Sequence, residues 1–317
     1  MEKIKDLFSK LKPLLTTLES ERVRQLKKLT TQKNILIAST IISFLVLLVF
    51  GGNYLIGLIS FGVFVFSIYS GIKLYDDYSE CKKNYADKFK DIVMPELINS
   101  IDPNLEFRKN YFIPQGTFLE SEIFQFDPGN YSGEDYISGI IGKTKFEFCE
   151  LNIYRKTVKN NAERYFTGQF MLADFNKKFN GKTFLFPEVL GMQSGILAKT
   201  AMKFSSDNLE FAKMEDPEFE SRFAVYTTDQ VEARYILSPA LMTHIVNLTN
   251  RFGRDIQLSF VNSKVYIALQ TSQNFFNPSF LESALNQKII EWFYYQIEGC
   301  MLIVKELNLN TRIWSKQ

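Results

Sequence analysis

Carboxylates are the residues of this sequence best placed to do chemistry. Glu215, Asp216, Glu218 and Glu220 crowd around Pro217, and Asp229 and Glu232 follow closely. Paired carboxylates can hold a divalent cation through hard oxygen ligands, or divide the roles of general acid and general base. A solvated loop has the same composition, and the sequence favours that reading. Glu134-Asp135, just after Gly133, reads as a turn.

Other motifs fail on spacing. Gly181-Lys182-Thr183 has the end of a phosphate-binding loop, but the glycine needed five residues earlier is Asn176. Gly142-Lys143-Thr144 fails in the same way at Ile137. Both read as turns beside strands. Asp174, Asn176 and Asn180 have the look of a calcium loop, yet the required glycine is Phe179 and the bidentate glutamate position is Leu185. The chain has one histidine, His244, on a helical pattern with Leu241 and Leu248, which places it at a core boundary. A single histidine excludes most His-based metal sites and makes a Ser-His-Asp arrangement hard to build. Cys81, Cys149 and Cys300 are too far apart for a zinc site or a disulfide framework and fit a reducing compartment. No cofactor site is legible. Near-neutral net charge, +2, gives no global attraction to nucleic acid.

The elements that carry these residues fall into two parts. From Asn34 to Ile72 no residue is charged. A membrane-spanning helix needs about 20 mostly apolar residues, and this block is long enough for two. Gly51-Gly52-Asn53 at its centre is turn chemistry. The sequence therefore predicts a transmembrane helical hairpin over residues 34–75, with spans at 34–50 and 54–75. Ser39/Ser43 and Ser67/Gly71 have the spacing that lets two helices approach. Lysine and arginine gather on both outer flanks: Lys3, Lys5, Lys10, Lys12, Arg22, Arg24, Lys27, Lys28 and Lys33 before, and Lys73, Lys82, Lys83, Lys88 and Lys90 after. The turn has none. The positive-inside rule then places both termini in the cytoplasm, across a cell inner membrane or plasma membrane.

Residues 1–33 form a basic amphipathic segment with Ile4, Leu7, Leu11, Leu14 and Leu18 on one stripe, and Pro13 predicts a kink or a new helix start. Two seats suit this helix. One is anionic headgroups of the bilayer, contacted by Lys3, Lys5, Lys10, Lys12, Arg22, Arg24, Lys27 and Lys28. The other is the helical stalk, residues 76–102, where Tyr78, Tyr85, Phe89, Val93 and Leu97 recur at helical spacing. Residues 103–317 then read as a cytoplasmic α+β domain. Strands are predicted at 136–141, 144–154, 165–173, 182–186, 209–214, 223–227, 256–260 and 265–269. A helix is predicted at 239–252, and a long C-terminal helix at 278–307. Strands followed by helices indicate an antiparallel sheet.

Several strings carry a resemblance: GEDYISG (133–139), FTGQFMLADFNKKFNGKTFLFPE (166–188), EDPEFESRFAVYTTDQVEARYILSPALM (215–242), LSFVNSKVYIA (258–268) and ELNLNTRIW (306–314). In these the chain resembles a family of bacterial two-span membrane proteins known only as a domain of unknown function. The resemblance implies the same topology and brings no activity, cofactor or catalytic residue. Members are often encoded beside LemA-type membrane proteins, which implies a LemA-type partner.

Two functions follow as expectations. The first is a non-enzymatic membrane-anchored protein whose cytoplasmic domain binds a partner protein or lipid headgroups. The second is a membrane-tethered metal-dependent enzyme using the acidic run at 215–232. The absence of a catalytic constellation favours the first.

Overall fold

The computed structural model describes residues 2–50, 52, 54–124, 129–156, 162–174, 180–188, 208–252, 256–271 and 276–314. The chain divides into two compact units, one of residues 1–97 with 277–291, the other of residues 98–276 with 292–317.

The first unit is built on two long helices, α1 (Glu2–Phe50) and α2 (Tyr54–Ile101). At about 1.5 Å per residue each is roughly 70 Å long, about twice the hydrocarbon thickness of a bilayer. Gly52 is the described residue of the turn between them. The helices are antiparallel: Ser43 Oγ donates to the Ser60 carbonyl at 2.7 Å, Lys88 pairs with Glu21, and Lys10 pairs with Glu96. Their charged halves share a buried seam. Ile4, Leu7, Leu11, Leu15 and Leu18 of α1 and Tyr85, Phe89, Val93 and Leu97 of α2 are all buried. Three- and four-residue spacing keeps these side chains on one stripe of each helix.

Two expectations change here. No new helix starts at Pro13, which lies inside α1. It sits on the exposed face, where water can satisfy the carbonyl that its missing N–H leaves free. The stripe from Ile4 to Leu18 is spent on protein packing, so of the two seats foreseen for this helix the stalk is the one occupied.

The second unit contains a nine-stranded antiparallel sheet among the described residues. Its strands are β1 (Glu106–Arg108), β2 (Asn130–Ile141), β3 (Thr144–Lys156), β4 (Ala162–Asp174), β5 (Thr183–Pro187), β6 (Glu210–Phe211), β7 (Phe223–Thr227), β8 (Ile256–Val261) and β9 (Lys264–Gln270). They lie in the order β1-β2-β3-β4-β9-β8-β5-β7-β6. The helices are α3 (Gln115–Leu119), α4 (Pro217–Glu220), α5 (Gln230–Ile236), α6 (Pro239–Phe252) and α7 (Gln287–Trp314), whose first residues belong to the other unit. Two-residue turns join β2 to β3 and β8 to β9. Gly142 (φ 64°), and Asn262 and Ser263 (φ 52° and 66°), adopt the left-handed backbone these turns need.

Both faces of the sheet are covered. Cys149, Leu151, Phe170, Phe184 and Tyr266 on one face join Ile113, Phe118 and Phe124 in a buried cluster. The alternate residues Phe148, Met171, Ile267, Leu258 and Leu185 are also buried, so β8 has no exposed position at all. The molecule is thus α+β, with two long apolar helices first, an antiparallel sheet, and a C-terminal helix.

Candidate functional site

The acidic run is used for local structure rather than for a shared site. Asp216 caps α4 by accepting from Phe219 N at 3.0 Å. Asp229 caps α5 by accepting from Val231 N and Glu232 N, both at 2.9 Å. Glu220 accepts from Met214 N at 2.8 Å, and Glu218 takes Arg222 at 3.2 Å. Glu232 reaches across to the Gly181 turn, accepting from Asn180 N at 2.9 Å and Gly181 N at 2.7 Å. Of the string that resembles the end of a phosphate-binding loop, the Gly181 amide therefore serves a carboxylate of this chain and the Lys182 amide donates to Thr228 Oγ1 at 2.8 Å. These are ordinary capping distances, and they disperse the residues of the enzymatic reading. Of the residues likened to a calcium loop, Asp174 ends β4 and Asn180 N donates to Glu232, while Asn176 and Phe179 lie outside the described residues.

Among the described residues one trio of carboxylates does come together: Glu134, Asp135 and Glu150, with ligand oxygens within 4.8 Å of one another. A β-bulge makes the trio. Glu134 pairs with Glu150 and Ile137 with Phe148, so Asp135 and Tyr136 together oppose Cys149. Asp135 takes φ 58° there, and its N–H donates to the Lys109 carbonyl at 2.8 Å. Glu150 is buried and accepts from Phe276 N at 3.0 Å. By sequence alone Glu134-Asp135 reads as a turn, whereas both residues lie within β2. The Gly-Glu-Asp string was the available signal, but the bulge that turns Asp135 toward Glu150 depends on strand register.

The basic residues of α1 divide by environment. Lys3, Lys5, Lys10, Lys12, Arg24, Lys27 and Lys28 are exposed, with Lys10 paired to Glu96 at 3.4 Å. Arg22 is not a surface cation, contrary to the expectation that it contacts the membrane surface. It is buried, donating from Nε and Nη2 to Glu19 at 2.9 and 2.7 Å and from Nη1 to the Phe280 carbonyl at 3.0 Å. Glu19 also accepts from Ala284 N at 2.7 Å. The Phe280 ring packs against Tyr78 and Tyr85 at 5.9 and 5.7 Å. This pair thus ties segment 277–286 to the helical hairpin. The Arg22 guanidinium holds the Glu19 carboxyl below its usual range, while burial pushes Tyr85 up to about 12.

The hairpin also carries two adjoining grooves between α1 and α2. One, of about 570 Å³, is lined by Ile35, Leu36 and Phe66 at its apolar end and by Lys28, Lys73 and Asp77 at its charged end. The second, of about 450 Å³, continues from Lys28, Gln32 and Asp77 to Arg24, Glu80 and Cys81. All three cysteines are free. Burial, with Asp77 and Glu80 adding to it, pushes the Cys81 thiol up, and burial raises Cys149 and Cys300 further. None is poised as a thiolate nucleophile. His244 is half-buried on α6, as its helical position implied.

Residues 164–309 match the model of a family described as "Protein of unknown function (DUF3137)". The match runs from β4 into α7. A domain of unknown function is therefore present in the stretch that holds most of the resembling strings, and the helical hairpin lies outside it. No curated protein matches the chain. Among solved structures, the crystal structure of the mycobacterial trehalose monomycolate transport factor A, TtfA, aligns with a TM-score of 0.31 and 9% identity, over 63% of this chain and 92% of that one. A likeness of that size carries no argument about fold or function.

Proposed function

We propose that this protein is a two-span membrane-anchored binding module, with both termini in the cytoplasm and the sheet domain presented there to a partner protein. The observation that carries the reading is where the uncharged run puts its side chains. Leu48, Leu55 and Phe66 are 66%, 70% and 67% exposed, and Ile41, Phe44, Leu58, Phe61 and Ile68 are exposed with them. A soluble helical hairpin would hide such residues in its own core; about 25 cal/mol per Å² of apolar surface opposes leaving them in water. In hydrocarbon the same surface is satisfied, and polar contacts such as Ser43 to the Ser60 carbonyl hold the pair together. The basic flanks and free cysteines support the cytoplasmic side.

The membrane-surface role of the basic residues narrows on this reading. Because α1 packs along α2, it rises from the bilayer instead of lying on it. Lys12 then stands about 33 Å beyond Asn34, at about 1.5 Å per residue, far outside a Debye length of about 8 Å. Lys3, Lys5, Lys10 and Lys12 face the cytosol, and Lys28, Lys27 and Arg24 remain near anionic headgroups. The enzymatic alternative lacks support, since Asp216 and Asp229 cap helices, Glu220 and Glu232 accept from backbone amides elsewhere, and Glu218 pairs with Arg222.

Alkaline carbonate extraction of membranes tests the anchor: the full chain should stay in the pellet and leave it only with detergent. Affinity purification in mild detergent tests the partner. The resemblance points to a LemA-type membrane protein, and recovery of the chain alone would contradict the binding role.

A further inference from the structure

We propose that the groove at the foot of the hairpin binds one phosphatidylethanolamine molecule, with its phosphate held by Lys28 and Lys73 and its ammonium by Asp77. This rests on the membrane-anchored reading above. Position is the first argument. Lys73 directly follows the uncharged run, Asp77 lies about 6 Å further along α2, and Lys28 lies about 9 Å beyond Asn34 along α1, at about 1.5 Å per residue. The polar layer on each side of the hydrocarbon is about 5–8 Å thick. Lysine stems that snorkel along the helices cover the remaining distance. All three charges therefore stand at headgroup level, while Ile35, Leu36 and Phe66 line the same groove on the hydrocarbon side. The groove is graded as a phospholipid is graded: charged at one end and apolar at the other.

Charge complementarity is the second argument. The groove wall carries both signs, and among the described residues the side chains of Lys28, Lys73 and Asp77 form no ion pair or hydrogen bond with one another or with any other residue. Lys73 and Asp77 are one helical turn apart on α2, a spacing that suits the two poles of a zwitterion. Phosphatidylglycerol offers the lysines the same phosphate but gives Asp77 only neutral glycerol hydroxyls, leaving its charge without a counter-ion. The methylated ammonium of phosphatidylcholine has no N–H to donate to Asp77.

Native mass spectrometry of the full chain tests this, in mild detergent with equimolar phosphatidylethanolamine, phosphatidylglycerol and phosphatidylcholine of matched acyl chains. The proposal expects a single phosphatidylethanolamine adduct, favoured several-fold over the other two lipids. Lys28→Gln with Lys73→Gln should weaken it about tenfold. Asp77→Asn should move the preference toward phosphatidylglycerol while total lipid retention persists. Unchanged helicity by circular dichroism would show that the variants remain folded. Equal retention of all three lipids, or adducts indifferent to the double substitution, would overturn the proposal and leave the membrane anchor standing. A chain that is soluble without detergent would overturn both.

Discussion

Arg22 shows how one residue's role depends on contacts that a local pattern cannot display. Its neighbours mark it as part of a basic helix face, but its partners are Glu19, one turn away, and the carbonyl of Phe280, distant in sequence. Removing one member of a buried pair leaves the other charge uncompensated, so Arg22→Ala should cost about 3–5 kcal/mol in a denaturant titration. The pH dependence follows from Glu19, whose carboxyl the guanidinium holds low. Its contribution is complete above the unfolded pKa, about 4.5, and is lost as pH falls through the lower folded value. Glu19→Gln should flatten that acid limb. Gly168 gives a second test. It takes φ 156°, and a Cβ there would meet the Leu269 carbonyl oxygen at 1.9 Å. Gly168→Ala should therefore destabilise the sheet by about 3 kcal/mol, measured as a fall in Tm, because backbone cannot move aside as a side chain can. The capping roles of the acidic run were more legible. Asp216-Pro217 and Asp229 with Glu232 three residues on are helix-start signals, and capping accounts for the two aspartates.

At the scale of elements, periodicity was informative where an element was long or half-exposed. The strand at 223–227 and the helix at 239–252 have the bounds that pattern predicts, and β3, β4, β8 and β9 differ by a few residues. β1 has three residues and α4 four, too few for a period to show. The C-terminal helix starts at Gln287 rather than 278, because Glu282 N to the Ser279 carbonyl and Asn286 N to the Ser283 carbonyl close turns across the intervening stretch. That stretch changes the domain boundary. Residues 277–291 group with the hairpin, so a fragment of residues 103–317 would lose the partners of Phe280 and Ala284. Hydrogen exchange should show 277–286 opening in that fragment while β3, β4 and β9 stay protected. Equal protection of 277–286 in fragment and full chain would place that segment with the sheet.

For the molecule as a whole, composition reported the division into an uncharged hairpin and an α+β remainder, because charge is absent from one block and ordinary elsewhere. The carboxylate trio and the groove were not legible. The trio arises from a register shift between β2 and β3, and the groove from two helices brought side by side. Everything proposed for the protein, from its partner to its bound lipid, depends on the hairpin crossing a membrane twice. A reporter active only in the cytoplasm measures that directly when placed after Gln317 and, separately, at Asn53. The account predicts activity at Gln317 and none at Asn53; activity at both positions would contradict it.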